Sequence, residues 1–396
     1  MACKNLKHAL PAACAIVLWG FAIASQAKPY LPQFPNEVLE QLPYINNRTD
    51  RKLQDLQQQL NANPGNVVLA SAIANRLIEI ARSESDPRYY GYAEAAVKKW
   101  WHNPAPPPSV LMIRANLRQH RHDFSGALED LQDVLTEEPH NAQAWLSQAV
   151  IQSVQGDYDA SMRSCLWLKR LSTNLAATAC MSNAASLSGS AKQAYAVLKE
   201  TAAKATATGI ETQLWTLTLL AEMANRLGDP KAAEFHYLQA LALKQHDVYL
   251  LSSYSDFLLD QGHPKQVIDL LKEDTRPDGL LLRLALAEQA DGLASLAQHR
   301  DEIQQRIASY RLRGENIHQR EEARFYLELL HQPEEALKLA LQNWQIQREP
   351  ADTRLVLAAA LASHNTEAAQ PILAWLKEVK LEDKRLQQEV NKLEQR

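Results

Sequence analysis

The sequence predicts an all-α solenoid of antiparallel helix pairs behind an export signal, and three observations carry that prediction. At 396 residues the chain exceeds the roughly 250 to 300 residues at which a single hydrophobic core stops growing, so it must either divide or extend. It holds only 12 glycines and few runs that alternate β-branched with polar residues, which favours helix over sheet. Shifted by 34 residues, it matches itself: Leu111 falls on Trp145, Ala115 on Ala149, His122-Asp123-Phe124 on Gly156-Asp157-Tyr158, and Gly228-Asp229-Pro230-Lys231 on Gly262-His263-Pro264-Lys265.

Residues 1–27 read as a signal peptide. Lys4 and Lys7 precede an apolar stretch from Ala9 to Ile23, and Ser25-Gln26-Ala27 supplies small residues for cleavage between Ala27 and Lys28. The stretch is shorter than the roughly 20 residues that span a bilayer, which disfavours the alternative of an uncleaved anchor. Cys14, preceded by Pro11-Ala12-Ala13, is a poor lipid-attachment site. No membrane insertion is expected after cleavage, and the expected location is periplasmic or secreted. Residues 28–49, with Pro29, Pro32, Pro35 and Pro43, read as an extended lead-in.

Residues 50–107 read as degenerate N-terminal repeats: the second half of a repeat from Asp50, then a unit with a long turn from Ser83 to Gly91, reset by the prolines between Pro104 and Pro108. Residues 108–281 read as five regular repeats. Their first helices keep a small residue, Ala115, Ala149, Ser182, Ala221 or Ser255, where the second helix must approach closely. Gly156, Gly189, Gly228 or Gly262 marks the turn, and Leu131, Leu198, Tyr237 or Leu271 fills the space between helices. Residues 282–376 give degenerate pairs, with turns at His331-Gln332-Pro333 and His364-Asn365 and an irregular stretch from Leu280 to Arg313. Residues 377–396 read as a charged capping helix on Leu386, Val390 and Leu393.

The segments Ala144-Trp145 to Gln155-Gly156-Asp157-Tyr158 and Arg226-Leu227-Gly228-Asp229 to Leu241 resemble the tetratricopeptide-repeat family. Gln148, Gln152 and His122 depart from its pattern. The blocks Tyr90 to Glu94, Asp256 to Asp260 and Arg348 to Asp352 look like those of exported proteobacterial repeat proteins, which makes a Gram-negative bacterium the expected source. The resemblance implies a right-handed superhelix of about eight helix pairs with a protein-binding concave groove. Trp215 and Tyr249, one repeat apart at the start of first helices, are the expected anchors on that face. Around them stand Glu222, Asn225, Arg226, Ser252, Asp256 and Asp260, a mostly acidic set suited to a protein or peptide partner with apolar and basic groups. Val150, Val154 and Leu187 on the equivalent face argue against a carboxylate clamp.

Other chemistry is sparse. A net charge of −4, with no Lys/Arg block interleaved with aromatics on one face, makes nucleic acid an unexpected partner. Phosphate loops, dinucleotide fingerprints, zincin helices and nucleophile elbows are missing, so no catalytic, cofactor-binding or metal residue is assigned. His120-Arg121-His122-Asp123, with His140, falls at an inter-helix turn where solvated histidines are expected rather than metal ligands. Glu321-Glu322 and Glu334-Glu335 are adjacent helical residues about 100° apart and form no acid-base dyad. Cys165 and Cys180 lie equally far from a turn on neighbouring helices, which brings them face to face, either as a disulfide or as buried thiols. The expected function is a periplasmic, non-catalytic scaffold for exported or membrane proteins. The alternatives are a membrane-anchored secretion or assembly factor, or a non-catalytic subunit of a cell-envelope enzyme complex.

Overall fold

A computed structural model describes residues 48–206, 208–314 and 318–395. The predicted signal peptide, the Ala27–Lys28 cleavage point and nearly all of the lead-in lie outside the described residues. Arg51–Arg396 form one compact unit.

The elements are helices in sequence: α1 (Arg48–Ala62), α2 (Val67–Glu84), α3 (Arg88–Trp101), α4 (Pro108–His120), α5 (Phe124–Glu137), α6 (Ala142–Val154) and α7 (Tyr158–Leu171). There follow α8 (Asn174–Ser186), α9 (Ala191–Lys204), α10 (Ile210–Arg226), α11 (Pro230–Leu241), α12 (Val248–Asp260), α13 (Pro264–Leu271), α14 (Asp278–Asp291) and α15 (Leu296–Leu312). The last are α16 (Gln319–Arg324), continued by a π-helical turn Phe325–Leu329, then α17 (Pro333–Trp344), α18 (Pro350–Ala362), α19 (Gln370–Val379) and α20 (Lys384–Glu394). Among the described residues there is no strand, and none of the helices is long and apolar enough to cross a membrane.

From α2 to α17 the helices pack as eight successive pairs, and of the two helices that follow it α18 packs mainly on α20 rather than on α19. Two local readings change. Chain reversal between α2 and α3 takes Ser85 to Pro87, not Ser83 to Gly91, because the Asp86 carboxylate receives the Arg88 amide at 3.1 Å and starts α3 at once. The stretch from Leu280 to Arg313 is an ordinary pair, α14 and α15, reversed at Gly292.

The repeat motif has a backbone explanation. Gly156, Gly189, Gly228 and Gly262 sit at φ 73–84°, the left-handed conformation that closes a helix C-terminus and that glycine adopts without a Cβ penalty. At Gly156 the next amide, Asp157, donates back to the Gln152 carbonyl at 2.9 Å, and the Asp157 side chain then accepts the Ala160 amide at 2.9 Å. One dipeptide thus ends α6 and caps α7. Asp229 does the same for α11, and caps of this kind contribute about 1 kcal/mol each. The small residues Ala115, Ala149, Ser182, Ala221 and Ser255, and the spacers Leu131, Leu198, Tyr237 and Leu271, are all buried.

Winding of the solenoid brings its second turn onto the first. Arg276 donates to the Glu84 carbonyl at 3.0 Å across 192 residues, and Tyr158 to the Arg348 carbonyl at 3.4 Å across 190. The Ala191 amide donates to Glu382 Oε2 at 2.6 Å across 191, capping α9, whose own Ser190 makes no side-chain cap. A separation that constant, between five and six repeats, is one superhelical turn. Apolar contact seals the seam, since Tyr158 and Leu187 of the first turn share a core with Trp344, Trp375, Leu386 and Leu393 of the second.

Candidate binding surface inside the superhelix

First helices line the inside of the superhelix. Asp256 on α12 reaches Arg324 on α16 at 2.6 Å across 68 residues, and Asp260 reaches Arg354 on α18 at 2.6 Å across 94. Arg283 adds a second guanidinium to Asp256 at 2.6 Å, and Arg385 on α20 a second to Asp260 at 3.1 Å. Desolvation alone would raise the Asp256 carboxyl, but Arg283 and Arg324 hold it well below the ordinary carboxylate range. The acidic half of the face therefore does not stand open for a basic partner, because the chain's own arginines already neutralise it.

Deeper in the same layer, Arg320 makes a two-pronged contact with Asp352, with Nη2 to Oδ2 at 2.7 Å. Asn343 Nδ2 and the Glu349 amide also donate to that carboxylate, at 2.7 Å and 2.9 Å. Burial pushes the Asp352 carboxyl up to about 6, against the pull of Arg320. These four donors fix the start of α18 beside the inner wall.

The remaining predicted residues divide. Trp215 is half-buried, packed on the side chains around Cys165 and Cys180 and on Leu219, so much of its ring serves the core. Tyr249 is 56% exposed, and its hydroxyl donates to Glu222 Oε1 at 2.8 Å. Ser253, the neighbour of Ser252, donates to the same oxygen at 3.0 Å. Enclosure pushes the Glu222 carboxyl up, against Arg226 and these two hydrogen bonds. Arg226 is buried and donates to Ser186 Oγ at 2.9 Å, while Ser252 offers its carbonyl to Arg283 at 3.1 Å. Two cavities of about 370 and 350 Å³ adjoin here. Asp260, Arg354, Arg385 and Glu389 border both, and Asn225 borders the second.

The sequence reading missed the arginines. Arg283, Arg320, Arg324 and Arg354 lie in the degenerate part of the array and Arg385 in the predicted capping helix, where no repeat register assigns a residue to the inner face. The spacing of Arg320 and Arg324, four residues apart, was the available signal.

Elsewhere, Cys165 and Cys180 are joined as a disulfide, with Cα atoms 5.5 Å apart. The histidines at the α4–α5 turn are not solvated as expected. His120 is half-buried and stacks on Tyr90 with centroids 3.8 Å apart, and His122, at φ 58°, stacks on Phe124. Asp123 is engaged as the cap of α5. Among the described residues no group of three His, Cys, Asp or Glu is placed to hold a metal.

The architecture is tetratricopeptide-like. A scan of protein-family profiles finds no match, and a search of curated proteins finds none either. Among solved structures, the APC/C hetero-tetramer Cut9-Hcn1 is 11% identical over 87% of this chain and 52% of that one, with a TM-score of 0.34. The P58(IPK) TPR domain is 13% identical over 88% of this chain and 93% of that one, at 0.23. Naa15/Naa10 bound to HypK-THB is 13% identical over 85% and 62%, at 0.25. This chain spans about half the length of the Cut9-Hcn1 chain it matches. Overlaps this loose decide nothing about function, and the fold rests on the helix pairs themselves.

Proposed function

We propose that this chain is an exported, non-catalytic scaffold that works in the periplasm and binds a segment of another exported or membrane protein inside its superhelix. The reading is carried by Tyr249, a large ring left 56% exposed on an inner helix while its hydroxyl is held by Glu222. A tyrosine held at one end and open on its face is a low-entropy anchor of the kind that dominates protein interfaces. Next to it, Trp215 supplies a partly covered ring one repeat away. Because Asp256 and Asp260 already hold arginines, the partner supplies apolar and hydrogen-bonding groups at the Tyr249 end. A basic partner would first have to displace Arg354 and Arg385.

A photoreactive residue in place of Tyr249, crosslinked in cells and read by mass spectrometry, identifies the partner. Alanine at Trp215 and Tyr249 together is expected to weaken that partner's binding at least about tenfold, the scale of an interface anchor. Unchanged affinity in the double variant contradicts the placement of the site. Sequencing of the mature N-terminus tests export, with Lys28 as the expected first residue.

A further inference from the structure

The second helices form the outside of the solenoid, and three consecutive ones differ from the rest. On each, the positions 3, 7, 10 and 14 residues past the turn glycine point away from the core. On α7 these are Asp159, Arg163, Leu166 and Arg170; on α9, Lys192, Ala196, Lys199 and Ala203; on α11 the first three are Lys231, Phe235 and Leu238. The large apolar side chains among them stand in water: Leu166 is 49% exposed, Phe235 58% and Leu238 51%, and next to Leu166 in the chain Trp167, one face stacked on Trp145, is 42% exposed. On the α13 side the large apolar groups stop while basic ones continue, at Lys265 and Lys272 around Asp269, and on the α5 side both stop. The same positions on α5, counted from His122, hold Ser125, Glu129, Gln132 and Thr136. In a chain of net charge −4, five basic groups against one acid make a local field of the opposite sign. No single segment shows it, because the face is assembled from three helices.

We propose that the outer face of α7, α9 and α11 docks on an anionic phospholipid surface, with Leu166, Trp167, Phe235 and Leu238 entering the headgroup layer and Arg163, Arg170, Lys192, Lys199 and Lys231 meeting lipid phosphates. Three features choose lipid over a protein partner. Lysine is depleted at the core of protein interfaces, whereas here Lys199 sits at the same position as Leu166 and Leu238 on the flanking helices. Basic groups alternating with Trp, Phe and Leu are what an interfacial surface requires, with aromatic rings at headgroup depth and each cation near the surface contributing favourably. A curved solenoid meets a plane along only a few repeats, and the basic-apolar character covers three. The surface shares no residue with the luminal site.

Co-sedimentation of the full chain with vesicles of phosphatidylglycerol and phosphatidylcholine tests the proposal. The chain is expected to sediment with them, to be released by salt, and to stay in solution with phosphatidylcholine alone. Reversing Lys192, Lys199 and Lys231 to glutamate together is expected to lower partitioning by about 100-fold or more. Phe235→Ser with Leu238→Ser lowers it about tenfold. All these residues are exposed, and circular dichroism verifies that the variants fold. Tyr249→Ala is expected to bind vesicles like the parent, which separates this surface from the luminal one. Failure of the parent to sediment with phosphatidylglycerol vesicles overturns the proposal. So does equal sedimentation of the triple variant, or capture of soluble polyglutamate in place of vesicles.

Discussion

The first superhelical turn, through the regular repeats from Pro108 to Leu271, and the second, from Gln319 to Glu394, are built from the same kind of helix pair but held together differently. In the first, four of the five left-handed residues at the turns within pairs are glycines and only His122 is not, small residues set the contact between helices, and each unit packs on its neighbours. In the second, His331 and His364 hold the left-handed positions at φ 54° and 56°, a π-turn interrupts one helix, and arginine-carboxylate contacts, which in the first turn stay within one pair at Arg114–Asp130, reach between repeats two or three apart. That turn relies on the seam: its Trp375 and Arg348 rest over Gly156, and its Lys380 over Gly189. A repeat can lose its local signature where a neighbouring turn supplies the constraint instead.

The largest expected effect tests the second turn's ion pairs. Arg320→Ala leaves Asp352 buried without its cation and should cost about 3 to 5 kcal/mol in urea unfolding. A loss near zero would mean that packing, not charge, positions α18. In the first turn, opening the Cys165–Cys180 bridge with reductant should lower stability by about 3 kcal/mol, on the chain-entropy account of a loop this short. An unchanged urea midpoint under reductant would show that the sulfurs serve only as packing.

The seam itself should respond to acid through His120, near His318 of the second turn. Desolvation, with the nearby charges of His122, His318, Arg121 and Arg82, lowers its folded pKa from 6.5 to about 4. The folded state therefore favours neutral His120. Its contribution is complete above pH 6.5 and is lost as pH falls from 6.5 toward 4, amounting to about 2 kcal/mol by pH 5. Thermal melting of His120→Gln should show a correspondingly shallower decline over that window.

The smallest effects contrast the two kinds of turn. Gly156→Ala forces a Cβ into a left-handed residue, 2.9 Å from Trp375, and should cost about 2 kcal/mol. His331→Gly relieves the same conformation at an exposed residue and should gain about 0.5 to 1 kcal/mol. A gain for Gly156→Ala together with a loss for His331→Gly would reverse the comparison.

What the sequence revealed follows the same division. The glycine-aspartate turns, the small residue at Ala149 and the spacer at Leu198 are local consequences of helix geometry, so a 34-residue shift exposed them. The meeting of Asp256 with Arg324 and of Asp260 with Arg354 depends on the rotation accumulated over two or three repeats, and the seam on between five and six. Small errors in each repeat's rotation add up along the chain, and no motif encodes the sum. The repeat register could therefore place residues on α10 and α12, but not the ion pairs that Asp256 and Asp260 make across repeats.

A cysteine pair across the seam tests most directly whether the second turn rests on the first. A Cβ built at Gly189 lies 3.1 Å from that of Lys380, close enough for a disulfide after a small shift. Gly189→Cys with Lys380→Cys, left in air and digested, should give a peptide crosslinked within one chain in most molecules. Free thiols at both positions in a folded protein would contradict the stacked superhelix and leave the groove open along its length.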